Sequence, residues 1–190
     1  MGTEGYCGTD GFCVDEDEDD NGVLMGSVST TMKIMTGAEN AEVLACDFGV
    51  CSKLLQIIVL EDTKEYISYV SKEEADAQQR VPFDLLVLCN PVLKKLGTQK
   101  ARFFEGCLSV EGYRGLVERH LEVEVSGFGQ DGLPIKIRAS GWQARILQHE
   151  CDHLQGVLYV EKMVPKTFRT NENLRLPLPS GCPKPGVCSH

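Results

Sequence analysis

The chain alternates between two hydrophobic periods, and the change from one to the other organises its second half. In LEVEVSGF, Leu121, Val123 and Val125 alternate with Glu122 and Glu124, the period of a strand with one buried face. GQDG (129–132) follows with turn chemistry, and Ile135 and Ile137 then alternate with Lys136 and Arg138. This pattern predicts an antiparallel hairpin. Ser140 then stands as an N-cap with Gln143 three residues on, the spacing of a capping box. WQARILQHECDHLQ runs from there to Gly156, a natural residue for a helix C-terminus. Trp142, Ile146, Leu147, Cys151 and Leu154 mark its apolar face, so the helix should pack into a core.

Earlier signals are shorter. QIIVL (56–60) reads as a strand and YISYV (66–70) as a weaker one. EEADAQQR is helix-compatible but too short to stand alone. DLLVL (84–88) reads as a buried strand halted by Asn90-Pro91. VLYV (157–160) resumes an extended pattern. These boundaries predict an acidic, disordered segment over 1–40, a domain over 41–168 and a Pro-rich, loosely held tail over 169–190.

Composition narrows the function classes. The 190 residues suit one domain, and a 42% apolar content allows a real core. The formal charge is −9, but DEDEDD at 15–20 holds much of it, so the rest is only mildly acidic. No Lys/Arg cluster is present to displace counterions from nucleic acid or to bind anionic lipid. No apolar run approaches the roughly 18–20 residues of a membrane span, and no targeting peptide is legible at the N-terminus. The nine cysteines include no CxxC, which argues for mostly free thiols rather than a zinc ribbon or a disulfide framework.

The chemistry concentrates in QHECDHLQG. His149 and His153 lie four apart, so a helix stacks both imidazoles on one face. Glu150 is rotated about 100° from His149, beside a bound ion rather than on it, where a base for water would stand. Such a motif also arises by chance on amphipathic helices. The third ligand of a metzincin would fall at Tyr159, which removes that class, and few candidates lie further downstream. Upstream, EGCLS (105–109) offers Cys107, and a thiolate with two imidazoles leaves a fourth position open. Cys107 could instead be an inert buried thiol or a nucleophile.

EGCLSVEGYRGLVER together with SGWQARILQHECDHLQG resembles the peptide deformylases, specifically the plant organellar type, over about residues 56–180. The resemblance implies an α+β fold, with small mixed or antiparallel sheets around a central metal-binding helix. It implies Cys107, His149 and His153 as ligands to one divalent ion, Fe²⁺ or Zn²⁺. It implies a hydrolase that removes the formyl group from the formylmethionine of new polypeptides, using metal-bound water with Glu150 as general base. The Leu108 backbone N–H would be an oxyanion donor.

Arg114 and Arg119 could hold Glu105 or orient the peptide, or be ordinary surface arginines. Trp142 and Ile146 could line the methionine pocket, although core packing explains them as well. Gln148 could steady His149. The implied partners are N-formylmethionyl nascent peptides near the ribosome, and the implied compartment is a mitochondrion or plastid. In the family a glycine-rich segment, Gly-x-Gly-x-Ala-Ala-x-Gln, supplies a second oxyanion donor. The corresponding stretch here, CDFGVCSKLLQIIVL, lacks that glutamine. Two readings therefore stand: a deformylase, or a weak or inactive homologue that still binds metal.

Overall fold

The computed structural model describes residues 56–188. The expectations for 1–40 and for the glycine-rich segment at 46–55 fall outside them. The elements in order are β1 (Ile57–Asp62), α1 (Lys64–Ser68), α2 (Lys72–Gln78), β2 (Phe83–Cys107), β3 (Val110–Phe128), β4 (Pro134–Ser140), α3 (Gly141–Leu154), α4 (Tyr159–Lys162), β5 (Arg169–Thr170) and β6 (Gly186–Val187). The strands form one antiparallel sheet in the order β1-β2-β3-β4, with β5 added on β3 and β6 on β2. Helix α3 packs on this sheet, which gives the α+β class expected from the sequence.

The predicted hairpin of β3 and β4 forms, with Val123 opposite Ala139 and Val125 opposite Ile137. Val123 and Val125 are fully buried. They join Ile58, Leu60, Leu88, Phe103, Trp142, Ile146 and Leu147 in one core beneath α3. The apolar stripe of α3 is what fastens it there, at roughly 1.5–3 kcal/mol for each large side chain buried. No helix among the described residues is long and apolar enough to cross a membrane.

Four local expectations are corrected. Asn90-Pro91 does not end the strand, because β2 continues to Cys107 through a register shift between Cys89 and Val92. Asn90 takes φ 49°, a left-handed conformation that Asn tolerates, and it exchanges backbone and side-chain bonds with Gln56. Across from this bulge Gly127 is obligatory, since a Cβ there would meet the Cys89 carbonyl at 2.7 Å.

YISYV is not a strand. Thr63 caps a helix instead, its hydroxyl accepting from the Tyr66 N–H at 3.2 Å. VLYV likewise gives way at Tyr159 to α4, whose Glu161 carboxylate reaches back to accept from the Leu158 N–H at 2.8 Å. In both places a cap bond outweighs a short apolar run. Finally, the segment after Arg169 is tied down, by β5, by β6 and by the Cys188 N–H donating to the Lys100 carbonyl at 2.8 Å.

Helix α3 begins after Ser140 as predicted, but Ser140 makes no side-chain cap bond, so the capping box does not form. Gly141 turns the chain into the helix at φ 58°, where a Cβ would lie 2.6 Å from the Gln79 carbonyl. At the other end Gly156 takes φ 73°, and its N–H donates to the His153 carbonyl, the C-terminus read from the sequence.

Candidate metal centre

Strand β2 ends at Cys107, and the two-residue turn Leu108–Ser109 leads into β3. This end of β2 meets the middle of α3. Cys107 Sγ lies 3.2 Å from His153 Nε2, which lies 3.1 Å from His149 Nε2. The three donor atoms all fall within 4.8 Å of one another. Metal–nitrogen bonds of about 2.0–2.1 Å and a metal–sulfur bond of about 2.3 Å require tetrahedral edges of roughly 3.3–3.5 Å. Two of the three edges, at 3.2 and 3.1 Å, come close to that, so the donors can converge on a single ion.

The tautomers agree with that role. His149 Nδ1 lies 2.9 Å from Glu105 Oε2. A carboxylate only accepts, so Nδ1 donates and Nε2 keeps its lone pair for a metal. Without a metal the site compensates its own charge. Burial works to raise the Cys107 thiol, but hydrogen bonds from His149, His153 and the Ser109 N–H bring it down to about 5. Burial works to lower His149, and its bonds to Cys107 and Glu105 push it up to about 9. These bonds thus favour the thiolate at Cys107, the form that ligates a metal.

Glu150 is 1% exposed, and its Oε1 has no hydrogen-bond partner. Burial pushes its carboxyl up to about 8, and the negative charges of Cys107 and Glu105 add to the effect. A buried acceptor left unmatched next to three converging donor atoms is the arrangement a water-activating base requires.

Glu105 is the opposite case. Arg119 grips it through two bonds, Nε to Oε1 at 3.0 Å and Nη2 to Oε2 at 2.8 Å. Arg145 Nη1 donates to Oε1 at 2.6 Å. Burial works against its charge, yet Arg119, His149 and Arg145 hold its carboxyl well below the usual range. Arg119 also pairs with Asp152, which in turn holds Lys162.

The remaining predicted residues divide. Arg119 does hold Glu105. Arg114 does not join that group: it lies opposite Gly106 in the β2–β3 register, buried, with Nε donating to Asn171 Oδ1 at 3.1 Å. Trp142 and Ile146 sit in the core, each 5% exposed, with Trp142 edge-on to Phe103. Core packing accounts for both. Gln148 exchanges bonds with the His120 backbone, at 2.8 and 3.1 Å, and so fixes α3 to β3 one residue before His149. The Leu108 side chain is exposed at the turn.

Arg145, Asp152 and Lys162 were not singled out from the sequence. Arg145 precedes His149 by four residues, a spacing that places it on the ligand side of the helix, and this was the available signal. A groove of about 690 Å³ lies along Gln148, Cys151, Asp152 and Gln155 of α3, and none of the three donors lines it.

An antiparallel sheet clasping a helix, with a Cys-His-His donor set and a buried glutamate alongside, defines a metal-site α+β protein of hydrolase type. The polypeptide deformylase family model matches residues 21–169, and the chain belongs to that family. It is 60% identical over 161 residues to the chloroplastic peptide deformylase 1A of Solanum lycopersicum, covering 85% of this chain and 57% of that protein. Over 159 residues it is 60% identical to the chloroplastic/mitochondrial peptide deformylase 1A of Arabidopsis thaliana, covering 84% and 58%. The chain thus spans under three fifths of the length of these plant relatives. A crystal structure of a Synechococcus elongatus peptide deformylase in complex with actinonin is 42% identical, covering 43% of this chain and 45% of that one, with a TM-score of 0.41. That overlap is too small to bear on the fold.

Proposed function

We propose that the chain is a metal-dependent hydrolase that removes the N-formyl group from the formylmethionine of newly made polypeptides. One observation carries this reading: Cys107 Sγ, His149 Nε2 and His153 Nε2 converge beside a buried glutamate with an unmatched oxygen. Cys107, His149 and His153 would hold a divalent ion, Fe²⁺ or Zn²⁺, which when bound polarises a carbonyl and lowers the pKa of water. Glu150 Oε1 takes a proton from the attacking water and returns it to the departing amine nitrogen.

Glu105 keeps the His149 Nδ1 proton in place, so that ring stays aimed at the donor set. The Leu108 N–H, at the turn after Cys107, donates to the oxyanion that develops on the formyl oxygen. Arg114, on the strand beside Gly106, is assigned to orienting the peptide, and residues 41–168 are assigned as the catalytic domain. Formylmethionyl nascent chains are the partners. The inactive-homologue reading is not favoured. Its basis lies at 46–55, outside the described residues, while the donor set and Glu150 are in place.

The test is metal analysis with a formate assay on purified protein and on Cys107→Ser. The account expects about one divalent ion per chain and formate release from a formyl-Met dipeptide, with both lost in the variant. Formate release by a metal-free Cys107→Ser protein would overturn it.

A further inference from the structure

Arg145 stands one turn before His149 on α3 and is 4% exposed. A buried guanidinium needs hydrogen-bond partners, and three acceptors come from the two long strands. Nη1 donates to Glu105 Oε1 at 2.6 Å and to the Val117 carbonyl of β3 at 3.0 Å. Nη2 donates to the Ala101 carbonyl of β2 at 2.7 Å. Its Cζ lies 5.2 Å from the Phe103 ring centroid and 5.9 Å from that of Trp142. Two carbonyls and two rings fix the planar head.

What this fixed head holds is Glu105. That carboxylate has four acceptor positions and four donors: Arg119 Nε and Arg145 on Oε1, Arg119 Nη2 and His149 Nδ1 on Oε2. Arg119 is shared, because Asp152 also draws on its Nη1. With Arg119 alone the carboxylate could tilt, and the His149 ring, hinged on Oε2, would tilt with it. Arg145 closes that freedom by anchoring Oε1 to the backbone of the sheet.

The geometry points to Arg145 as a positioning residue for the metal centre: it locks Glu105 in the orientation that aims His149 Nε2 at Cys107 and His153. The inference rests on the donor set proposed above. The plainer role for Arg145 is to fasten α3 to the sheet through the two carbonyls. Arg80 supplies the control. It too is buried, lies 5.2 Å from the Trp142 ring and grips a carboxylate through two bonds, but that carboxylate is Asp62, outside the donor set.

The experiment measures Zn²⁺ affinity by chelator competition and the absorption spectrum of the Co²⁺-loaded full chain. The proteins are the unmodified chain, Arg145→Met, Arg145→Lys and Arg80→Met. Arg145→Met is expected to bind Zn²⁺ about 10–100-fold more weakly and to shift the Co²⁺ ligand-field bands. Arg145→Lys keeps the charge but cannot span Glu105 and both carbonyls, so it shows a smaller loss in the same direction. Arg80→Met keeps full affinity and spectrum even where its melting temperature falls.

Unchanged affinity in Arg145→Met overturns the proposal, as does an equal loss in Arg80→Met. If Arg145→Met does not fold, full affinity in Arg145→Lys overturns it instead. An unmodified chain that shows no thiolate-to-Co²⁺ charge-transfer band refutes the Cys107 site itself, a separate failure that removes this inference with it.

Discussion

Two buried glutamates flank the same imidazole, and their surroundings differ in nearly every respect. Glu105 lies on the sheet, with both oxygens satisfied and its carboxyl held well below the usual range. Glu150 lies on the helix, with one oxygen unmatched and its carboxyl pushed up to about 8. Full satisfaction makes a carboxylate rigid and a poor proton carrier, whereas an unmatched one can accept and release a proton. The fold thus gives one residue type two opposite environments through the partners it supplies, and the second is the one that suits the base role proposed for Glu150.

The contrast breaks first at Glu150. Glu150→Gln should retain metal and fold while turnover of a formyl-Met dipeptide falls by roughly 10²–10⁴, read from steady-state formate release. Unchanged turnover would remove Glu150 from the chemistry. Glu105→Gln should do the converse damage, leaving Arg119 and Arg145 without their shared anion. A loss of about 3–5 kcal/mol in urea unfolding is expected, with metal affinity down about 10–100-fold. Wild-type stability there would mean that the ion cluster does not support the fold.

The two carboxyls should also respond oppositely to pH in the metal-free chain. Glu150 is raised from 4.5 to about 8, so its contribution is full below 4.5 and is lost as pH rises through about 8. Glu105 is lowered, so its contribution is present above 4.5 and is lost as pH falls through its folded value. Comparing metal-free Glu150→Gln with the unmodified chain isolates the first effect. The variant's relative stability should rise between pH 4.5 and 8, and a constant gap would contradict the assignment. The smallest effect belongs to Glu118, paired with Lys100 and Arg102 at a partly exposed position. Glu118→Gln should cost less than about 1 kcal/mol, and a larger loss would show that burial is not what separates these carboxylates.

How much of this was legible depended on whether the deciding interaction was local. The β3–β4 hairpin and α3 announce themselves through sustained periods over many residues. The short helices α1 and α4 do not, because a single cap bond at Thr63 or Glu161 decides them against a β-branched run. The passage of β2 through Asn90-Pro91 depends on Gln56 and Gly127, both more than thirty residues away.

The donor set was readable from the His149–His153 spacing joined to the Cys107 motif. The pairing of Arg145 with Glu105 spans forty residues and that of Arg119 with Asp152 thirty-three, so no local pattern carries them. Trp142 and Ile146 belong to the apolar stripe that fastens the metal helix to the sheet, so their helical spacing alone does not separate packing from pocket lining.

The most direct test of the central claim is formate release from a formyl-Met dipeptide by the full chain before chelation, after it and after adding Fe²⁺ or Zn²⁺ back. The account predicts release that stops when the metal is removed and returns with it. Release that continues in the metal-free chain, or none from a chain with its metal bound, would contradict it.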